Sequence, residues 1–282
     1  MNPRLPARAP ASTVEVRDLR TAATALFASV LIDSAIEHYR GGFENPAMFA
    51  PLGASALGVA AGAAAALGAG PSSRPRAGVF VLALVVGMAG LGFHLSNVLK
   101  RPGGLDWLNL FYGAPVGAPA ALALAGAIGA ASDHVAASDG RREAPRIAGI
   151  PAGRALCAVT SLGLAGTVGE VTLLHYRGSF QNPLMWLPVT LPPVAAVLTA
   201  RAAAERTAPH ARRFARGWLR LTAWLGIGGV ALHAYGVSRA MGGWRNWRQN
   251  VLDGPPLPAP PSFSALALAG LAALRLRDRD HG

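Results

Sequence analysis

Cysteine is all but missing from this chain. Cys157 stands alone among 282 residues, inside an apolar stretch. No internal disulfide can form, the thiol reads as a small buried hydrophobe, and covalent haem attachment through a Cys-x-x-Cys-His sequence is excluded. Charge is scarce as well: 14% of residues are charged against 52% hydrophobic, too few to coat a soluble globule of this length. The bilayer is the natural solvent for such a composition. Acids are the rarest charges, 14 against 26 Lys and Arg, and Lys100 is the only lysine. The resulting +12 is carried by arginines that lie between apolar runs rather than on one face, which argues against a nucleic-acid partner. No serine sits in a nucleophile-elbow context, so hydrolase chemistry has no visible nucleophile.

Eight apolar runs stand out at residues 21–39, 47–70, 77–99, 114–131, 155–176, 183–200, 218–237 and 262–274. Each is near the length that crosses about 30 Å of hydrocarbon, the last being short. Asp33, Glu37 and His38 interrupt the first run where a cleavable signal needs an uninterrupted apolar core, so it reads as a retained helix. The N-terminal tail, the even-numbered connections and the C-terminal tail carry 19 Lys and Arg, against 7 in the odd-numbered connections. The positive-inside rule then places both termini in the cytoplasm of a multi-pass cell-membrane protein. Tyr39, Phe43, Trp107, Tyr112, Tyr176, Phe180, Trp186, Trp244 and Trp247 gather near the opposite boundary as an aromatic belt.

The chain also matches itself. Residues 38–51, His-Tyr-Arg-Gly-Gly-Phe-Glu-Asn-Pro-Ala-Met-Phe-Ala-Pro, recur at 175–188 with nine of fourteen positions identical, beyond what shared apolar composition gives. Asp33 matches Glu170, His94 matches His233, Lys100 matches Arg239, and residues 121–126 recur as 265–270. The expected fold is an all-α integral membrane protein of eight transmembrane helices, arranged as two parallel four-helix repeats about a pseudo-twofold axis along the membrane normal. The expected segments are a cytoplasmic tail (1–20), the first repeat (21–132), a cytoplasmic linker (133–154), the second repeat (155–276) and a cytoplasmic tail (277–282).

Part of the motif is punctuation. Gly41 and Gly178 suit a helix C′ position, and Asn45-Pro46 and Asn182-Pro183 suit an N-cap followed by the first helical residue. The recurring remainder is Asp33/Glu170, His38/His175, Tyr39/Tyr176, Arg40/Arg177, Met48/Met185 and His94/His233. Ionisable groups at membrane depth face the bundle interior or a wet cavity and are functional candidates. The seven-residue spacing of Asp33 and Arg40, and of Glu170 and Arg177, puts acid and base on one helix face about 10 Å apart.

Paired histidines on neighbouring helices suit the axial positions of haem b, with Arg40, Lys100, Arg177 and Arg239 above them for propionates. A transition-metal site is the neighbouring reading, adding Asp33, Glu170, Met48 and Met185 to His38, His94, His175 and His233 as ligands. Either makes the chain a membrane electron-transfer subunit, with other membrane subunits or a quinone as partners beside the lipid bilayer. Two alternatives stand beside it: a small-solute or proton-coupled transporter using the acids at the repeat interface, and a structural or assembly subunit without a cofactor, its histidines serving as interfacial hydrogen-bonding groups.

Overall fold

The computed structural model describes residues 13–67, 73–138, 144–204 and 207–279. The first twelve residues of the expected N-terminal tail, residues 68–70 of the second apolar run, residues 139–143 of the expected linker and residues 280–282 of the expected C-terminal tail lie outside them. Ten α-helices follow in order: α1 (Thr13–Arg40), α2 (Ala50–Ala66), α3 (Arg74–Leu99), α4 (Trp107–Tyr112), α5 (Gly117–Ala137), α6 (Ala152–Arg177), α7 (Leu187–Ala204), α8 (Pro209–Arg239), α9 (Trp247–Leu252) and α10 (Pro261–Arg279). Single 3-10 turns, Pro46–Phe49 and Pro183–Trp186, lead into α2 and α7. The only strands among the described residues are the two-residue β1 (Arg146–Ile147) and β2 (Ile150–Pro151), paired antiparallel just before α6.

Among the described residues, six stretches are long and apolar enough to cross a membrane: Val14–Arg40, Pro46–Ala66, Arg74–Leu99, Gly117–Ala137, Ala152–Arg177 and Pro183–Ala204. The seventh and eighth apolar runs form helices, α8 and α10, but fall outside this set. Arg212, Arg213, Arg216 and Arg220 crowd the first half of α8, and Arg275, Arg277, Asp278 and Arg279 end α10. The composition of α10 has a packing cause. It lies against α1, α6 and α8 and is buried at most positions from Ser262 to Arg277, so protein rather than lipid solvates it.

Helix contacts close two four-membered groups. In the first, α1 packs on α2 and α5, and α3 packs on the same two helices, leaving α1 and α3 at opposite corners. In the second, α6 and α8 stand opposite one another, each packed on α7 and α10. The groups join where α1 meets α10 and α5 meets α6. Small residues allow the close approaches, as expected where helices gain no hydrophobic drive from lipid. A methyl group on Gly126 of α5 would meet the Phe80 carbonyl oxygen of α3 at 2.5 Å. Phe80 in turn faces Phe27 of α1 across ring centroids 6.1 Å apart, and Gly58 of α2 and Gly129 of α5 make room for the two rings.

The first helix is longer than its apolar run. It begins at Thr13, and its 28 residues extend about 42 Å at 1.5 Å per residue, more than the hydrocarbon core. Residues 13–20, expected in the cytoplasmic N-terminal tail, form its first two turns. Glu15, Asp18 and Leu19 are buried there.

Candidate functional site

The recurring fourteen-residue motif builds the same hairpin twice. The Asn45 side chain caps the turn before α2 by accepting from the Ala47 N–H at 2.9 Å, and Asn182 accepts from Leu184 at 2.9 Å before α7. Between the helices, Phe43 and Phe180 hold φ values of 50° and 46°, a left-handed conformation costly for bulky side chains. Stacking offsets that cost: Phe43 lies on Phe49 at 4.5 Å and Phe180 on Trp186 at 4.1 Å. Gly41 and Gly178 are small because a methionine closes over each. An added methyl would touch Met48 Cε at 3.2 Å and Met185 Cε at 3.0 Å respectively.

The four candidate histidines adopt one arrangement. His38 Nδ1 bonds the Met48 carbonyl at 2.7 Å, His175 Nδ1 the Met185 carbonyl at 2.8 Å, His233 Nδ1 the Pro256 carbonyl at 2.8 Å, and His94 Nδ1 the Pro115 carbonyl. A carbonyl oxygen only accepts, so Nδ1 carries the proton in each ring and the neutral ring keeps its lone pair on Nε2. His38 on α1 and His94 on α3, the opposite corners of the first group, lie within electrostatic reach of one another. So do His175 on α6 and His233 on α8 in the second.

The acids face elsewhere. The Glu170 carboxylate takes the backbone N–H of Gly117 at the start of α5 and lies within electrostatic reach of Asp33 and Glu37 on α1. It rests against the α-carbon of Gly117 so closely that no side chain fits there. The α5 terminus has no side-chain cap of its own, and Glu170 supplies one from the other group. Among the described residues no cluster of three or more His, Cys, Asp or Glu side chains is placed to hold a metal ion. Asp33 and Glu170 thus meet at the junction of the groups, while each histidine pair spans its own group.

Tyr39, Arg40, Tyr176 and Arg177 join the groups at the histidine end. Arg40 pairs with Glu37 at 2.8 Å and with Asp253, just past α9, at 3.3 Å; Arg248 of α9 donates to the Tyr39 hydroxyl at 3.4 Å. The Arg177 guanidinium carbon stands 5.2 Å from the Phe111 ring centroid and 5.6 Å from that of Tyr112, and Trp107 meets Tyr176 edge-on at 5.4 Å. So α9 covers the end of α1, and α4 covers the end of α6. The arginines, expected to reach back toward Asp33 and Glu170, are held by these covers instead.

Sequence reasoning missed a set of ion pairs at the opposite end. Asp133 of α5 receives Arg76 of α3 at 2.8 Å and Arg20 of α1 at 3.3 Å, all three nearly buried, and Arg20 also donates to the Ala65 carbonyl of α2 at 3.0 Å. All four helices of the first group are tied there. In the second group Arg212 and Arg216 of α8 pair with Asp278 of α10, and Arg154 of α6 donates to the Ala203 carbonyl of α7 at 2.8 Å. Asp18 and Glu15 of α1 pair with Arg275 and Arg279 of α10. The usable signal was an acid at the end of each helix holding the matching Ala-Leu-Ala-Leu-Ala-Gly stretch.

Fold and site together define a polytopic α-helical membrane protein associated with the lipid bilayer. No family model, curated protein or solved structure matches the chain.

Proposed function

We propose that this is an eight-span membrane electron-transfer subunit, built from two parallel four-helix repeats, in which His38 with His94 and His175 with His233 are paired ligands of b-type haem or a transition metal. The observation that carries the reading is the common orientation of the four imidazoles. Each ring is fixed by Nδ1–H on a backbone carbonyl, the outer-shell bond that sets the tautomer and aims a ligating nitrogen. Two such rings on diagonal helices fit the axial positions of one haem. Bound there, the group would supply one-electron redox chemistry. The protein orients the ring nitrogens and offers Lys100 and Arg239, exposed at the same end, as counter-charges for propionates. Arg40 and Arg177 remain candidates for that role, although their covers engage them. Met48, Met185, Asp33 and Glu170 are the further ligands proposed for the metal form, which the acids would reach only by turning away from the junction of the groups that they occupy here. The arginine end is cytoplasmic on this reading, both termini lie inside, and other membrane subunits or a quinone are the electron partners.

The test is an absorption spectrum of the protein from a haem-competent host, oxidised and then dithionite-reduced, beside a metal analysis. Sharp reduced α and Soret bands that weaken in His94→Ala are expected. A colourless, metal-free protein rejects both cofactors.

A second reading rests on its own observation, the meeting of Asp33, Glu37 and Glu170 where the two groups join. Such acids at membrane depth suit a proton-coupled transporter. Asp33→Asn and Glu170→Gln would then abolish flux in proteoliposomes, whereas the electron-transfer reading leaves the haem spectrum of these variants intact.

A further inference from the structure

We propose that the exposed face of α8 at the arginine end is a binding site for an anionic phospholipid of the leaflet on that side. Arg213 and Arg220 both lie on this face. Seven residues, two turns of helix, separate them, so their α-carbons stand about 10 Å apart along one stripe. Neither has an ion pair or hydrogen bond among the described residues. Asp278, the acid that pairs with this helix, is already shared by Arg212 and Arg216 on its packed side. Arg220 sits one turn farther into the membrane-facing half than Arg216. An arginine facing lipid at that position needs an anion at the head-group level.

The shape between the two arginines fits such a group. Gly217 lies midway, is exposed, and a side chain there would meet nothing within 4 Å. The guanidiniums therefore flank an open notch of bare backbone. Around and below it stand Phe214, Leu221 and Trp224, which are 58%, 44% and 69% exposed, an apolar wall for the glycerol and acyl chains. A phosphate over Gly217 would lie between two cations with its hydrocarbon on these side chains. The corresponding face of α3 differs at one position: Arg74 and Gly78 stand exposed where α8 has Arg213 and Gly217, but Val81 stands where α8 has Arg220, with Val85 and Met88 exposed beyond it. The first group thus presents a single cation on this face, and the second presents a pair flanking the notch.

The experiment uses the full-length protein reconstituted into vesicles of equimolar phosphatidylcholine and phosphatidylglycerol, extracted in mild detergent, with retained lipids counted by native mass spectrometry. The wild type is expected to retain phosphatidylglycerol preferentially. Arg213→Gln with Arg220→Gln should lower that preference by on the order of tenfold. Gly217→Asp, which leaves both arginines and the packed face untouched, should lower it comparably by placing a carboxylate in the notch. Should the double variant fail to fold, Gly217→Asp decides the matter alone. Equal retention of the two lipids by the wild type, an unchanged preference in Gly217→Asp, or an equal loss on Arg245→Gln at the other end of the molecule would each overturn the assignment.

Discussion

Gly117 shows at the level of one residue how the two groups depend on each other. Its backbone N–H meets the Glu170 carboxylate and its missing side chain leaves that carboxylate a place to lie. Gly117→Ala should push the carboxylate off its donor and destabilise the protein by about 1–3 kcal/mol, the cost of an unpaired group. In a Glu170→Ala background the same change should cost less than about 0.5 kcal/mol. Thermal denaturation in detergent measures the cycle, and equal costs in both backgrounds would show that the contact contributes nothing. At this scale the sequence was informative about identity and poor about partners. Pattern and spacing singled out the histidines, both acids and both arginines. The shared use of Nδ1 on a carbonyl was invisible, because those carbonyls belong to residues 10 to 23 positions away.

Among the elements, hydropathy found every long helix and misjudged the ends of some. The run at 21–39 starts eight residues after α1 begins because Glu15, Arg17, Asp18 and Arg20 look like a polar tail. Three of them are neutralised across the bundle, by Arg279, Arg275 and Asp133, partners no local window contains. The run at 262–274 looked too short because α10 ends in arginines that pair with protein acids. The Arg20–Asp133–Arg76 set at this end is nearly buried, unlike the half-exposed Arg40–Glu37–Asp253 set, whose pairs should contribute little to stability. Asp133→Ala strands Arg20 and Arg76 in a nearly dry site and should destabilise the fold by about 3–5 kcal/mol. Asp253→Ala should change stability by less than about 1 kcal/mol. Comparable melting-temperature losses in the two variants would contradict this ranking of the ends.

For the whole molecule, the testable arrangement is its direction in the membrane. Charge counting on connections predicts that reporter fusions at Ser138 report the cytoplasm and fusions at Gly104 the opposite side. The reverse pattern would turn the molecule over and with it the proposed lipid leaflet. The self-match of the sequence bears on the same scale, since it relates not only the histidine hairpins but also the Ala-Leu-Ala-Leu-Ala-Gly stretches of α5 and α10.

One feature of the histidine end constrains how such a chain can be divided. The helix α4 of the first group lies on α6 of the second, and α9 of the second lies on α1 of the first, so each half carries the other's lid. A break between residues 138 and 144 would remove no helix from either group, yet each fragment alone would lose the contacts that the other's lid makes with the tip of its own first helix. The halves are obligate companions: the peptide link between them fixes their stoichiometry, while the crossed lids fix which surfaces meet.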